Sequence, residues 1–221
     1  MIIAIDGPAA SGKSTVAKRA AKALGFTFLD TGAMYRAVTL EALRLKLEPS
    51  DTNSLIKLAN DIEISFKREG GSERVCVDAR DVTEEIRMPE VTKLVSVVSK
   101  EPSVRRAMVD RQRRFAREAD LVAEGRDVGT VVFPNAELKV YLSASLRERA
   151  GRRRLELEQK GHGVTLENLE MEIERRDHID STREESPLSK AEDAVEIDTT
   201  GKTVVQVTEE VMQLVHRRTS L

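Results

Sequence analysis

The chain has 221 residues, of which 33% are charged and 40% hydrophobic, and its 36 lysines and arginines nearly balance its 38 aspartates and glutamates. A net charge of −2 argues against a general nucleic-acid-binding protein, which needs surplus positive charge to displace counterions. Its single cysteine excludes an internal disulfide framework, and the absence of a leader sequence or a long apolar run predicts a cytoplasmic protein with no membrane partner.

Strands and helices are predicted to alternate along most of the chain. The apolar run at 2–5 predicts a buried strand, and a helix follows a glycine-rich turn and ends at Gly25. A strand at 26–29 and a helical segment at 32–47 continue this pattern, which is typical of a parallel sheet. Three further strands are predicted at 121–124, 138–142 and 194–197. Together these elements predict an α/β fold with a five-stranded parallel sheet flanked by helices.

A final helix is predicted from about Val204. Its apolar positions are 204, 207, 211 and 214, and Thr203 with Gln206 fits a capping box at its start.

Two segments interrupt the alternation. Between about residues 60 and 88, short stretches of alternating apolar and polar residues predict a small antiparallel sheet with a turn at 69–72. An arginine-rich helix at 148–163, followed by a second charged helix from Thr165 to about Arg183, predicts a mobile helical hairpin. Its segment at about 148–165 is expected to act as a lid. We therefore expect residues 1–221 to form one domain that contains this insert and this lid.

A phosphate-binding motif follows the first strand. Residues 7–14 are GPAASGKS, which matches the P-loop pattern G-x-x-x-x-G-K-[ST]. Backbone N–H groups of such a loop, and the N-terminus of the next helix, bind phosphate oxygens. Lys13 is expected to bridge the β- and γ-phosphates of ATP, and the Ser14 hydroxyl to bind Mg²⁺. The residues predicted to bind ATP here are Gly7, Pro8, Ala9, Ala10, Ser11, Gly12, Lys13, Ser14 and Thr15.

Three classes of protein carry such a loop. A switch GTPase needs a guanine-binding N-K-x-D segment, which the sequence lacks, and a nucleic-acid-dependent ATPase should have a basic or aromatic-rich surface, whereas 3% of the residues are aromatic. A small-molecule kinase is therefore favoured. No H-R-D-type loop supplies a base for a hydroxyl acceptor. A nucleoside monophosphate needs no base, because the second pKa of its phosphate is about 6.

Arginines and carboxylates follow the predicted strands, at the sheet edge where open α/β proteins bind ligands. Thr31 and Arg36 follow the second strand, and Arg36 is either directed at an acceptor phosphate or a solvated helix residue. Glu124, Arg126 and Asp127 follow the third strand. Glu124 suits the Mg²⁺ shell, and a simple salt bridge within the loop is the alternative for the other two.

The two charged helices supply further candidates. Arg176, Asp180 and Arg183 are separated by four and three residues, so they share one helical face, as an acceptor site or as a surface ion pair. Three lid arginines either close over ATP and exclude water or form a solvated basic face. They are Arg149, Arg152 and Arg153. The histidines show no metal-ligand spacing and are given no role: His162, His178 and His216.

Taken together, these segments resemble the bacterial cytidylate kinase family. The matching stretches are IDGPAASGKST, LDTGAMYRA, EEIR…VS, VRRAMVDRQR, EGRDVGTVVFP, ERAGRRR…KG and ERRDHIDSTR…PL, in the family's order from Ile5 to Leu188. The resemblance implies transfer of the γ-phosphoryl group of ATP to CMP, with dCMP as a second acceptor and Mg²⁺ as cofactor. It also implies that the segment at 60–88 binds the monophosphate. We expect a monomer, and UMP or shikimate is the alternative acceptor.

The resemblance also implies roles by position. Residues matching those that hold the acceptor phosphate are Arg36, Arg126 and Arg183. Those matching the surroundings of the cytosine ring are Ser96, Arg105 and Asp127, and those matching the sugar-binding positions are Arg176 and Asp180. Thr31 and Glu124 replace the family's frequent serine and aspartate, which keeps the chemistry. The residues expected to be catalytic are Lys13, Arg126, Arg153 and Arg183.

Overall fold

The computed structural model describes most of the chain, namely residues 1–69, 72–117, 119–159, 161 and 163–219. Gly70 and Gly71 of the predicted turn, and Lys160 and His162 of the predicted lid, lie outside these ranges.

Within the described ranges the chain forms eight strands and eight α-helices. The strands are β1 (Ile2–Asp6), β2 (Thr27–Asp30), β3 (Ile64–Glu69), β4 (Ser72–Val77), β5 (Arg80–Asp81), β6 (Leu121–Gly125), β7 (Leu138–Ser143) and β8 (Val195–Asp198). The helices are α1 (Lys13–Leu24), α2 (Thr31–Arg44), α3 (Thr52–Asp61), α4 (Pro89–Val98), α5 (Pro102–Phe115), α6 (Leu146–Glu158), α7 (Leu166–Thr182) and α8 (Val204–Thr219). A 3₁₀ helix (Glu85–Arg87) and a π-helical turn (Val128–Val132) complete the secondary structure of these ranges.

Five parallel strands form the main sheet, as predicted, and their order in the structure is β2–β6–β1–β7–β8. In its register, Asp6 at the end of β1 lies beside Gly125 of β6 and Tyr141 of β7. The carboxyl ends of the strands therefore lie side by side. The residues that directly follow them share one edge of the sheet, where open α/β proteins bind ligands.

Helices α1 and α8 pack on this sheet through apolar side chains. Val207, Val211 and Val215 of α8 join the core with strand residues, because positions four apart share a helical face. Of the other two apolar positions noted in the sequence, Val204 is 37% exposed at the start of the helix, and Leu214 packs at the margin of the core. The predicted capping box is confirmed, since the Thr203 and Gln206 side chains each accept a hydrogen bond from the other's backbone N–H.

The chain divides into two compact units. The first comprises Met1–Asp30 and Arg113–Leu221, and the second comprises Thr31–Gln112. The second unit contains the predicted antiparallel sheet, with strand order β3–β4–β5 and Ile64 opposite Val77. The bounds of 60–88 for an insert, and the organisation as one domain, stay predictions.

No helix in the described parts of the chain combines the length and apolar character needed to cross a bilayer.

Candidate active site

The phosphate-binding loop joins β1 to α1, and its backbone conformation depends on glycine. Gly7 has a φ of 149°, and a Cβ atom there would lie 2.1 Å from the carbonyl oxygen of Leu142, so no larger residue fits. Helix α1 begins at Lys13, directly after Gly12, so its first N–H groups lie at the loop, where they suit phosphate oxygens. The other loop residues predicted to bind ATP are Ala9 and Ser11 (buried), Pro8, Ala10 and Ser14 (half-buried) and Thr15 (exposed).

Lys13 places its ammonium group inside this loop. Its Nζ donates to the Pro8 carbonyl at 2.6 Å and to the Ser11 hydroxyl at 3.3 Å. Burial, followed by the charge of Arg126, lowers the pKa of Lys13 to about 7. An anion bound in the loop favours the charged form of the ammonium. The loop therefore provides a buried cation that becomes most stable when a phosphate group is present.

Ser14 and Glu124, the two residues predicted to hold Mg²⁺, contact each other. The Ser14 hydroxyl donates to a carboxylate oxygen of Glu124. Glu124 lies beside Asp30 in the sheet, and burial, followed by the charge of Asp30, raises the pKa of Glu124. A bound cation would offset this crowding of negative charge, and carboxylate and hydroxyl oxygens are ligands that Mg²⁺ accepts.

A complete protein-only metal site is not present among the described residues, where no cluster of three or more His, Cys, Asp or Glu side chains could hold an ion. The donor set at Ser14 and Glu124 fits Mg²⁺ in the way common to nucleotide enzymes, with few protein ligands and the rest from substrate phosphates and water.

The helical hairpin of α6 and α7 contacts the phosphate-binding loop at the backbone of Ala9. Arg149 donates to the Ala9 carbonyl at 3.1 Å, and Asp177 accepts from the Ala9 N–H at 3.1 Å. Arg149 and Asp177 also form an ion pair with each other. Apolar residues of both helices pack around Ala9: Ala150, Leu169 and Ile173. The hairpin therefore fixes the two consecutive peptide groups that flank Ala9, one through its N–H and the other through its C=O.

The other two lid arginines have different partners. Arg152 donates to the Ser11 carbonyl at 3.4 Å, and to the hydroxyl and the carbonyl of Thr199 at 2.9 and 2.6 Å. Arg153 pairs with Glu156 of its own helix at 3.0 Å. Arg152 is thus part of the loop's surroundings, whereas the catalytic role of Arg153 stays a prediction.

Three arginines surround Asp180, which is 4% exposed. The Nε of Arg126 donates to Oδ2 of Asp180 at 3.0 Å, and nitrogens of Arg176 and Arg183 lie 3.9 and 3.7 Å from its oxygens. Burial alone would raise the pKa of Asp180, but the three guanidinium groups hold it below its ordinary value. Arg176, Asp180 and Arg183 therefore meet as predicted, although helix α7 ends at Thr182 and Arg183 directly follows it.

Asp127 is connected to this cluster through Arg183. Nη2 of Arg183 lies 3.5 Å from Oδ1 of Asp127, and both residues are buried. The Nε of Arg183 also donates to the Ser186 carbonyl at 2.6 Å, which fixes the end of α7. The loop after β6 and the end of α7 therefore share one network of buried charges.

The second unit holds the other four residues predicted to bind CMP. Arg36 on α2 donates to the Thr92 hydroxyl at 2.9 Å and to the Ile86 carbonyl at 3.2 Å. Thr31, at the start of α2, and Ser96, on α4, are both buried.

Arg105 on α5 is 1% exposed. It donates to the Ser99 carbonyl at 3.1 Å, and its guanidinium group lies 5.0 Å from the centre of the Tyr35 ring, a cation–π distance. Such a deeply buried arginine needs these partners to offset its desolvation.

A family model described as "Cytidylate kinase" matches residues 3–217 of the chain. The chain belongs to the cytidylate kinase family. It is similar to the cytidylate kinase of Geobacillus sp. (strain WCH70), with 51% identity over 98% of this chain and 96% of that one. It is also similar to the cytidylate kinase of Oceanobacillus iheyensis, with 48% identity over 95% and 91% of the two chains. A solved structure of an uncharacterized protein from Eubacterium ventriosum has a TM-score of 0.55 at 13% identity over 98% of both chains, which shows likeness of fold alone.

Membership of the cytidylate kinase family defines the enzyme class. The chain is a nucleoside monophosphate kinase, a phosphotransferase, and the family implies ATP-dependent phosphoryl transfer.

Three residues with contacts in the candidate active site were not selected from the sequence: Asp6, Asp177 and Thr199. Asp177 lies within the quoted stretch ERRDHIDSTR but was given no role, and Thr199 lies in a short turn with no motif. Asp6 ends the first strand, so the argument that selected Glu124 at the end of a neighbouring strand applied to it equally. Only the partners of Asp177 and Thr199 reveal what they do.

Proposed function

We propose that the chain transfers the γ-phosphoryl group of ATP to CMP, and to dCMP as a second acceptor, giving ADP and the corresponding diphosphate. The observation that carries this proposal is the buried positive charge at the phosphate-binding loop. Arg126 and Arg176 both lower the pKa of Lys13, so the arginine cluster lies within electrostatic reach of the loop. Such a concentration of cations suits two phosphate-bearing substrates held close together.

The proposed reaction depends on charge neutralisation more than on proton transfer. With a second pKa of about 6, the phosphate of CMP is largely a dianion at neutral pH and can attack without a base. Arg126 and Arg183 would neutralise the acceptor phosphate while Lys13 bridges the donor phosphates. The lid arginines would bind ATP and exclude water, so that transfer to CMP is faster than hydrolysis. They are Arg149, Arg152 and Arg153.

Mg²⁺ would be held by Ser14 and Glu124 together with phosphate oxygens. When bound, it would supply positive charge that offsets the negative charge of the donor phosphates.

The cytosine ring would be recognised by Asp127, Ser96 and Arg105. Cytosine has an N4 amino donor beside N3 and O2 acceptors, and a carboxylate suits the donor. Uracil has the acceptor O4 in that place, so the Asp127 carboxylate would face another acceptor, which disfavours UMP. The other acceptor-side roles are assigned to Arg36, Arg126 and Arg183 for the phosphate and to Arg176 and Asp180 for the sugar. Thr31 is assigned to CMP binding.

An acceptor panel tests this assignment. ADP release is measured with CMP, dCMP, UMP and shikimate at equal concentration, and with no acceptor. We expect CMP and dCMP to give the highest kcat/KM. If UMP exceeds CMP, the role of Asp127 is wrong, and if polynucleotide but not CMP stimulates ATP turnover, the chain is an ATPase of another kind.

Replacing Glu124 with glutamine should raise the Mg²⁺ concentration needed for half-maximal activity by about 10–100-fold, because the amide keeps the acceptor oxygen but loses the charge. The measurement is a Mg²⁺ titration of CDP formation at saturating ATP and CMP. Glu196→Gln is the matched control, since Glu196 is 45% exposed and pairs with Lys190. An unchanged Mg²⁺ requirement in Glu124→Gln would remove Glu124 from the metal site.

Replacing Asp177 with asparagine should weaken ATP binding by roughly 10-fold, because the charged partner of Arg149 and of the Ala9 N–H is lost. The KM for CMP should change less than the KM for ATP. Asp61→Asn serves as control, because Asp61 is exposed at the end of α3 and has no assigned part in the reaction. Equal changes in the two KM values would contradict a role for Asp177 on the donor side.

The proposal also includes the oligomeric state and the location: the protein is a monomer in the cytoplasm. Each proposed role is filled by residues of one chain, so the chemistry requires no second copy. Light scattering at assay concentration should give the mass of one chain.

A further inference from the structure

Asp6 ends β1 with a buried carboxylate that contacts the loop after β6. It is 5% exposed. Its Oδ1 accepts a hydrogen bond from the backbone N–H of Val128 at 2.9 Å, and its Oδ2 accepts one from the N–H of Gly129 at 2.7 Å. These N–H groups begin the π-helical turn Val128–Val132. The first N–H groups of a helical turn have no acceptor inside the turn, and buried N–H groups require one.

The π-helical turn Val128–Val132 also forms hydrogen bonds to the backbone of Asp127, the residue that precedes it. The carbonyl of Asp127 accepts from the N–H groups of Val131 and Val132 at 2.9 and 3.1 Å. The peptide groups on the C-terminal side of Asp127 are therefore fixed by the turn on one side and by the Asp6 carboxylate on the other. Because Arg126 and Asp127 are consecutive, the direction of both side chains depends on this fixed backbone.

Gly129, whose N–H donates to Asp6, has neighbours that leave little room for a side chain. A Cβ atom on Gly129 would lie 3.1 Å from Cδ of Lys139 and 3.4 Å from Oδ2 of Asp6. The ammonium of Lys139 pairs with Asp193 at 2.8 Å, so its aliphatic stem stays over the turn. Only glycine allows the backbone to approach the carboxylate this closely without displacing a neighbour.

Two acceptor oxygens are needed here, which explains why the residue is an aspartate. Burial raises the pKa of Asp6 to about 6; the two backbone N–H groups and the charge of Lys13 oppose this rise, and Asp127 adds to it. An asparagine would offer one acceptor oxygen and would direct an amide N–H₂ at the second backbone N–H. One of the two bonds would then become a contact between two donors.

We propose that Asp6 is a positioning residue of the acceptor site, whose carboxylate fixes the backbone that directs Arg126 and Asp127 toward CMP. This inference rests on the proposed function, because it assigns those two side chains to the acceptor. Asp6 itself touches neither substrate in this scheme. Its effect is exerted on the geometry of the residues that do, where a displacement of about 1 Å can lower the rate about 100-fold.

The test compares Asp6→Asn with the wild-type chain in three measurements at pH 8. They are the KM for CMP, the ratio of kcat/KM for CMP to that for UMP, and the Kd of a fluorescent ATP analogue without acceptor. We expect the KM for CMP to rise roughly 10–100-fold and the CMP preference to fall about 10-fold, while the Kd for the ATP analogue changes less than about 2-fold. Asp120→Asn is the matched control, since Asp120 binds the N-terminus at the other end of β1 and is 54% exposed.

A purely structural role gives a different result. Loss of folded protein lowers the apparent kcat for both acceptors equally and leaves the KM for CMP and the CMP preference at their wild-type values, which would overturn the proposal. Gly129→Ala provides a second test that keeps every charge, and it decides the question if Asp6→Asn does not fold. The same acceptor-side defect in Gly129→Ala supports the proposal, and wild-type KM and preference in a folded Gly129→Ala overturn it.

Failure of the proposed function is detected separately. If the wild-type chain does not phosphorylate CMP, the function is wrong whatever the variants do. If the wild-type chain phosphorylates CMP and Asp6→Asn retains its KM and base preference, only the role of Asp6 is wrong.

Discussion

Replacing Lys13 with methionine is expected to lower kcat for CDP formation by about 1,000-fold. Lys13 is 4% exposed, and its ammonium lies among the oxygens of Pro8 and Ser11 inside the phosphate-binding loop. Removal of one positioned charge at a transferring group costs about 10²–10³-fold or more in rate. Methionine keeps an unbranched stem that fills the same space, so the loss should appear in kcat and not in folding. Thermal unfolding and single-turnover CDP formation measure the two quantities.

Lys18→Met is the matched control, because it makes the same substitution on the exposed side of the same helix. Lys18 lies 5.4 Å from the centre of the Phe28 ring and has no assigned part in the reaction. Its kcat should stay within about 2-fold of wild type, as for most surface substitutions. A Lys13→Met variant that retained more than about a tenth of the wild-type kcat would contradict the assignment of Lys13 to the transition state.

Replacing Arg183 with alanine is expected to lower kcat/KM for CMP by about 100–1,000-fold while sparing ATP binding. Arg183 is 5% exposed and lies near carboxylate oxygens of Asp127 and Asp180, at 3.5 and 3.7 Å. Its removal takes away a cation assigned to the acceptor phosphate and leaves two buried carboxylates with less compensation. Breaking a buried ion pair costs about 3–5 kcal/mol, so a lower melting temperature should accompany the kinetic defect.

Titration with a fluorescent ATP analogue measures the ATP affinity of the Arg183→Ala variant separately from its kcat/KM for CMP. Arg175→Ala is the control, because Arg175 is an exposed arginine on the same helix. Its kinetics should match wild type. Equal losses of CMP use and of ATP affinity in Arg183→Ala would show that Arg183 does not belong to the acceptor side.

Local features of the site were predictable from the sequence. The apolar runs predicted the five parallel strands, because a strand buried on both faces needs continuous apolar residues. The spacing of Arg176, Asp180 and Arg183 predicted that they meet, since residues three and four apart adjoin on a helix. The glycine pattern of the loop predicted a helix beginning at Lys13. Each of these inferences uses residues that are neighbours along the chain.

Contacts between distant segments were not predictable in this way. Asp177 reaches Ala9 across 168 positions, and Asp6 reaches Gly129 across 123. Nothing in the spacing of either pair identifies the partner, because the sheet and the hairpin bring them together. The ion pair considered between Arg126 and its neighbour Asp127 illustrates the same limit: the contact that anchors Arg126 is with Asp180, 54 positions away.

Helices α3, α4 and α5 were also not predicted. Helix α5 is rich in arginine, and its largest fully buried side chain is the charged Arg105. Periodicity of apolar residues cannot indicate a buried face that is partly built from cations. Resemblance to a family, and not physical pattern, selected Arg105 and Ser96.

The central claim is that the phosphoryl group moves from ATP to the phosphate of CMP. Phosphorus NMR of the wild-type chain with ATP, CMP and Mg²⁺ follows both substrates and all products in one sample. The account predicts that the resonances of CDP and ADP appear together in equal amounts, with little inorganic phosphate. Formation of ADP and inorganic phosphate without CDP would contradict it.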